Sequence, residues 1–417
     1  MQEGTLNIGF IVHKEEELKN KLAIVDACTI DEAITYDEFD RLTDNMAQGL
    51  LDLGVQHGDI IMVMMDNCIE LQICYFSCFK IGATMQPLNY FITAENIYYA
   101  SNQCKPKVFI TSSNLWEEKV KDLKDNMPWI TNYFCVGNVI DQDLNPFEQL
   151  INFSNGKHKF PIVKSDDFGQ LFFVFSNMQT KFNKRGVFLT HHVMEWHSYP
   201  YELLGLNKND VVAGILHPYN ALTRAVFKSG ATYILITKFS GDKFIECCFK
   251  YNITFFGGTP DQFKIILDAA KRLNKFPKTL RACFVVGKLL DNEFWKEFEE
   301  CFQTRVYGGM GCKELGIFAI EPYGTNTRYG SIGKIVPYMK YKLNKTSVDK
   351  NVGYLSIKSH SLITHYWING GPEKLNEDDG WFKTGFEVYI DEDEYFYLTG
   401  NVKDISISGM KRYYNIK

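Results

Sequence analysis

Ile60-Ile61-Met62-Val63-Met64-Met65 is an unbroken apolar run. It is far shorter than the roughly 18 residues a membrane span needs, and it lacks the alternation of a strand with one wet face. A strand buried on both faces is what remains, and such strands belong to parallel sheets covered by helices. The flanks agree. Tyr36, Phe39, Leu42, Met46, Leu50 and Leu53 recur every three or four residues, which predicts a helix over 36–54 closed by Gly54. Leu71 to Lys80 reads as a second helix stopped by Gly82. Met85 to Leu88 reads as a strand, Thr93 to Ser101 as a helix and Val108 to Thr111 as a strand. Alternation of this kind predicts a doubly wound α/β sheet.

The pattern returns later. Strands are expected at Val211–Leu216, Thr232–Thr237, Thr254–Phe256 and Ala282–Val286, with helices at Asp242–Tyr251 and Asp261–Leu273. After about residue 325 strands dominate. Turns fall at Asn351-Val352-Gly353 and Asp378-Asp379-Gly380, and a hairpin is expected around Asp391-Glu392-Asp393. At 417 residues the chain has room for two or three such units, or for one large α/β enzyme body. It carries 32 Phe and 23 Tyr, so a large aromatic core is expected.

Forty-five Lys+Arg against 50 Asp+Glu leave a formal charge of −5, which gives no electrostatic reason to bind nucleic acid. The 11 cysteines form no CxxC pair, so a zinc cluster is not expected. Cys74 and Cys78, four apart in an apolar stretch, read as core residues on one helix face. Free buried thiols fit a reducing compartment, so a cytoplasmic location is expected. No signal peptide is visible at the start of the chain. His191, His192 and His197 are not spaced to stack on a helix as metal ligands, and Asp391-Glu392-Asp393 lacks the rest of a calcium loop. No serine nucleophile elbow appears.

A set of short segments then falls into a familiar order. Ile34-Thr35-Tyr36 through Gly58-Asp59 comes first, then Lys80-Ile81-Gly82-Ala83 through Pro87-Leu88-Asn89. Gly186-Val187-Phe188-Leu189-Thr190-His191 follows. Gly330-Ser331-Ile332-Gly333-Lys334, Gly353-Tyr354-Leu355, Gly380-Trp381, Thr384-Gly385 and Lys403-Asp404 complete the set. Together they resemble the adenylate-forming acyl-CoA synthetase and luciferase-like (AMP-binding) family, nearly end to end. The resemblance implies two doubly wound parallel-sheet subdomains and a smaller β-barrel-like subdomain. It implies residues 1–400 as the N-terminal domain, about 325–400 as its β-rich part, and 401–417 as a hinge and remnant. The family's C-terminal lid domain, with its adenylation lysine, is expected to be absent. In the implied chemistry, a carboxylate attacks the α-phosphate of ATP·Mg²⁺ and the acyl group passes to a thiol, usually coenzyme A.

By the same resemblance, Ser176 to Gly186 corresponds to the phosphate loop, where glycine N–H groups and hydroxyls converge on phosphate. Thr180 and Gly186 keep the family residues. Gln179 and Phe182 replace glycines, Lys184 the usual proline, and Arg185 the usual lysine. Lys181, Lys184, Arg185 and Lys313 form a candidate patch for another anion. In Gly309-Met310-Gly311-Cys312-Lys313-Glu314, Met310 corresponds to the aromatic that stacks on adenine, and it still offers a polarisable surface. Lys313 stands for the phosphate-binding threonine and Glu314 for the Mg²⁺ carboxylate. Taken alone, Glu314 reads as an ordinary solvated surface residue. Gly287, Gly309 and Gly311 are further family-matched nucleotide positions. Phe386 stands where an aspartate accepts the ribose hydroxyls, and Glu387 is expected on the opposite face of the strand. Asn401 stands for the hinge arginine, and Asn220 for a histidine lining the acyl pocket. The acyl pocket is expected around Asn220, Thr254 to Pro260 and Gly309.

These departures predict a catalytically impaired ligase-like protein that keeps a role in binding a ligand or a protein. The ligand expected is a hydrophobic carboxylic acid. The alternative is an active acyl/aryl-CoA ligase with a rebuilt phosphate site, and only then are ATP/Mg and CoA expected as cofactors.

Overall fold

The computed structural model describes residues 6–10, 16–28, 32–139, 141–152, 159–173, 185–215, 221–285, 287–345, 351–375 and 378–402. At 345, 378 and 400–402 only the backbone is described.

The apolar run forms the strand Ile60–Met64, buried at every position. It lies inside a nine-stranded sheet. Across that sheet run Gly371–Lys374, His365–Ile368, Gly186–Thr190, Phe168–Phe173, Thr84–Pro87, Ile60–Met64, Val108–Ser112, Asn132–Val136 and Asn145–Pro146. Pairing is parallel from Phe168–Phe173 through Asn145–Pro146. It is antiparallel among the four strands from Gly371–Lys374 to Phe168–Phe173.

The helix Tyr36–Asp52 begins on a capping box. Thr35 accepts from the Glu38 N–H while the Glu38 carboxylate accepts from the Thr35 N–H. The next helix, Ile69–Lys80, starts two residues earlier than its periodicity suggests and buries every residue except Glu70. Cys74 and Cys78 are in that core as expected. Lys80 ends the helix wholly buried. Its ammonium bonds Asp40 at 2.6 Å, Asp44 at 2.5 Å and Thr43 at 2.8 Å, all on the Tyr36–Asp52 helix. A buried charge is tolerable only when paired and hydrogen-bonded in this way.

A second sheet orders seven strands as Val306–Tyr307, Ala282–Val285, Phe255–Gly258, Val211–Gly214, Thr232–Leu235, Leu22–Asp26 and Glu32–Thr35. Only its last pair is antiparallel. The helices Gly241–Tyr251 and Pro260–Leu273 connect its strands, each begun by a capping hydroxyl, Ser240 or Thr259. The expected strand ends at Leu216 and Val286 lie outside the described residues.

The third sheet is antiparallel: Gly309–Cys312, Gly316–Ile320, Ser331–Ile335, Phe396–Val402, Phe382–Ile390, Val352–Lys358 and Lys340–Lys345. It begins at Gly309, ahead of the boundary expected near 325, because its first hairpin follows directly on the last parallel strand. The hairpin around Asp391 is present, with the Asp391 N–H bonded to the Tyr395 carbonyl at 3.0 Å. One part of the β-rich region leaves it. His365–Ile368 and Gly371–Lys374 extend the nine-stranded sheet instead.

The two parallel sheets meet through aromatic rings. Phe227 stacks on Phe39 at 4.8 Å and meets Phe76 edge-on at 5.2 Å. Such pairs add about 0.5–1.5 kcal/mol beyond burial. Truncating Phe227 to alanine should therefore lower unfolding free energy by about 3–5 kcal/mol in denaturant titration.

Glu321 is fully buried at the start of the third sheet. It accepts from the Arg328 N–H at 2.9 Å and from Arg305 and the Gly308 N–H at 3.4 Å. Burial pushes its carboxyl up to about 7 against these partners. A raised acid binds more protons folded than unfolded between its two pKa values, so its contribution falls as pH rises from about 4.5 to 7. Across that window E321Q should gain on the wild type by about 3 kcal/mol, read from urea melts at both ends.

Candidate functional site

The strand Gly186–Thr190 opens with a glycine because nothing larger fits. A Cβ at Gly186 would lie 2.8 Å from Leu171 Cδ1 and from Trp367 Cβ. This family-matched glycine is thus required by sheet packing. Arg185 immediately precedes it. On the neighbouring strand, Tyr366 pairs with Val187 and Trp367 with Gly186. The Arg185 guanidinium lies 4.0 Å from the centre of the Tyr366 ring. Contact this close is a favourable cation–π arrangement.

The other half of the site comes from the hairpin Gly309–Cys312 to Gly316–Ile320. Its strands approach so closely at Gly311 that a Cβ there would lie 2.6 Å from the Gly316 carbonyl oxygen. Lys313 and Glu314 occupy the turn. Glu314 is 0% exposed, which corrects its reading as a solvated surface carboxylate. Its Oε1 accepts from the Tyr366 hydroxyl at 3.2 Å and lies 3.8 Å from Arg185 Nη2. Burial, reinforced by the Glu314 charge, pushes the Tyr366 phenol well above its ordinary range. The Lys313 ammonium sits 5.4 Å over the Phe172 ring. Burial lowers it to about 8, with Glu314 opposing. The Cys312 thiol beside them is raised by burial.

Arg185, Lys313, Glu314 and Tyr366 therefore form one group built from both sheets. Two cations surround one carboxylate, so the group favours anions. Magnesium on a nucleotide keeps several waters and takes one or two protein carboxylates together with the phosphates. Glu314 is the carboxylate of this group that would hold it, and Tyr366 and Arg185 already engage its Oε1. Among the described residues no three His, Cys, Asp or Glu side chains gather as a metal site.

Other expected positions are more scattered. Gly309 packs against the Phe284 ring, and Gly287 follows the strand Ala282–Val285 in a left-handed conformation at φ 90°. Met310 is buried in the core, so its expected surface for a ring is small. Phe386 is 2% exposed, its ring 6.4 Å from Phe318. Glu387 takes a different partner, accepting from the Thr399 hydroxyl at 2.7 Å. Thr259, in the expected pocket segment, caps a helix. Gln179, Thr180, Lys181, Phe182, Lys184, Asn220, Lys403 and Asp404 lie outside the described residues, as does the side chain of Asn401. His191 and His197 are in the helix His191–Leu203, buried and lowered by desolvation to about 4 and about 3. His197 bonds the Ser361 carbonyl at 3.0 Å, a packing role.

Sequence reasoning missed Tyr366. It had one signal, the aromatic pair Tyr366-Trp367 in a short strand, and nothing marked which carboxylate it meets.

Two largely parallel sheets with an antiparallel one make up the N-terminal domain of adenylate-forming enzymes. The AMP-binding enzyme family matches residues 12–367, and the chain belongs to that family. It is 25% identical to a crotonobetaine/carnitine–CoA ligase of Proteus mirabilis over 388 residues, covering 87% of this chain and 73% of that one. It is 26% identical to 4-coumarate–CoA ligase 3 of Arabidopsis thaliana over 409 residues, covering 89% and 69%. The fold matches the luciferase-like enzyme of the nonluminescent mealworm Zophobas morio with a TM-score of 0.85, at 18% identity and 97% coverage of both chains.

Amine acylation followed by mass spectrometry should give Lys313 half-maximal reactivity near pH 8. Exposed lysines should follow at about 10.4. A Lys313 midpoint at the bulk value would contradict the site's electrostatics.

Proposed function

We propose that this acyl/aryl-CoA ligase-like chain binds a carboxylic acid at a site where adenylation is impaired. The observation that carries the reading is Phe386. It is a core residue at the position matching the family's ribose carboxylate. An aspartate there would supply two charge-assisted hydrogen bonds, worth about 1.5–3 kcal/mol each. A phenyl ring supplies none. Glu314 supports the same reading, because the carboxylate matched to the metal role is held by Tyr366 and Arg185. The replacement of phosphate-loop glycines by Gln179 and Phe182 adds to it.

The relatives carry the name CoA ligase, and by that likeness the ligand is an organic acid. All 11 cysteines are free, in keeping with a reducing compartment, and a cytoplasmic location is part of this proposal. Among the described residues no helix is long and apolar enough to cross a membrane.

A second reading has one observation in its favour. Arg185 and Lys313, two of the four cations in the candidate anion patch, do meet around Glu314. On that reading they hold phosphate, and ATP/Mg and CoA are the cofactors of an active ligase.

Radiolabelled pyrophosphate exchange into ATP over short, long and aromatic acids separates the two. Robust exchange overturns the first reading. Millimolar ATP·Mg²⁺ should leave the melting temperature unchanged, whereas a ligand at a hundred times its Kd stabilises by about 2.7 kcal/mol. F386D alone should not restore binding, because the phosphate loop differs independently.

A further inference from the structure

The seam between the parallel sheets contains a further cation that the site above does not use. Arg224 lies in the helix Ala221–Ser229 and is 5% exposed. Its Nη1 donates to Gln170 Oε1 at 3.3 Å. Gln170 is 0% exposed, in the middle of the strand Phe168–Phe173. Among the described residues, two donors of this pair, Arg224 Nε and Gln170 Nε2, meet no acceptor.

The groups that Arg224 faces do not neutralise it. Among the described residues no carboxylate is within ion-pair distance. The carboxylate whose field reaches it, Glu195, is held by Lys228 at 2.5 Å. Burial raises the Tyr201 phenol, which stays neutral, and keeps His197 neutral. Desolvation lowers Arg224 only to about 10, so it stays charged. A buried charge without an anion is costly, and so is each buried donor without an acceptor. A carboxylate answers both needs, since its two oxygens can take the free donors of a guanidinium and an amide.

The register relates this pair to the site already described. Gln170 and Phe172 are two residues apart on one strand, so their side chains leave the same face. Phe172 carries the Lys313 ammonium over its ring. The residues that these two cations reach, Gln170 and Phe172, are thus one strand repeat, about 7 Å, apart on one face.

We infer that Arg224 and Gln170 receive a second carboxylate of the ligand, so that the acid bound is a short dicarboxylic acid. This rests on the reading that the chain takes a carboxylic acid.

The test uses the full chain, with calorimetry and thermal shift at constant ionic strength. Succinate, glutarate and adipate are compared with butyrate, pentanoate and hexanoate. At least one diacid should bind tenfold or more tightly than its length-matched monoacid. R224M and Q170L should abolish that preference, and R224K should keep part of it. Equal binding of diacids and monoacids by the wild type overturns the inference and leaves the carboxylic-acid reading standing. So does a preference that survives R224M. Silence from all six acids overturns both. Should R224M fail to fold, the wild-type comparison and R224K still decide.

Discussion

The contact on which everything else rests is the ring cluster at the seam of the two parallel sheets. Phe39 comes from the Tyr36–Asp52 helix, Phe76 from Ile69–Lys80 and Phe227 from Ala221–Ser229. Tyr233, on a strand of the seven-stranded sheet, touches Phe227 in turn at 6.0 Å. Neither sheet can shift against the other without separating these rings. The Lys80 ammonium, clamped by Asp40 and Asp44, locks two of the three helices in register. Rigid walls are what allow isolated polar groups to be held in fixed positions behind them.

Among those polar groups, Glu314 is buried and accepts from the Tyr366 hydroxyl, while Phe386 places a ring in the core. Cations accumulate at Arg185, Lys313 and Arg224. On the reading proposed above, these cations make the interior attractive to anions. Burial amplifies each of these charges, because a low-dielectric surrounding leaves little solvent to screen them.

The parallel architecture was legible because apolar runs and 3.6-residue periodicity are local. Thr35 with Glu38, and Thr259 with Gln262, announce their helices within four residues. The site was legible only in part. Glycine 186 was visible through its neighbours, yet its cause, contact with Leu171 and Trp367, lies far along the chain. Tyr366 meets Glu314 across 52 residues, and Arg224 meets Gln170 across 54. No periodicity encodes such meetings. Burial of Glu314 was hidden for the same reason, since a carboxylate in a turn ordinarily faces water. The antiparallel sheet starts at Gly309–Cys312, where Gly309-Met310-Gly311 has little strand propensity to announce it.

The His365–Lys374 hairpin has a consequence for how the molecule can be divided. It is contributed by the β-rich half but completes the sheet of the first half, with Trp367 Nε1 reaching the Gln103 carbonyl at 3.1 Å. A fragment cut at the apparent change in texture would leave Gly186–Thr190 as a bare, apolar sheet edge, open to pairing with any extended chain. Modularity in the sequence is therefore no guide to autonomy in the fold, and the late-translated hairpin closes an edge laid down long before it.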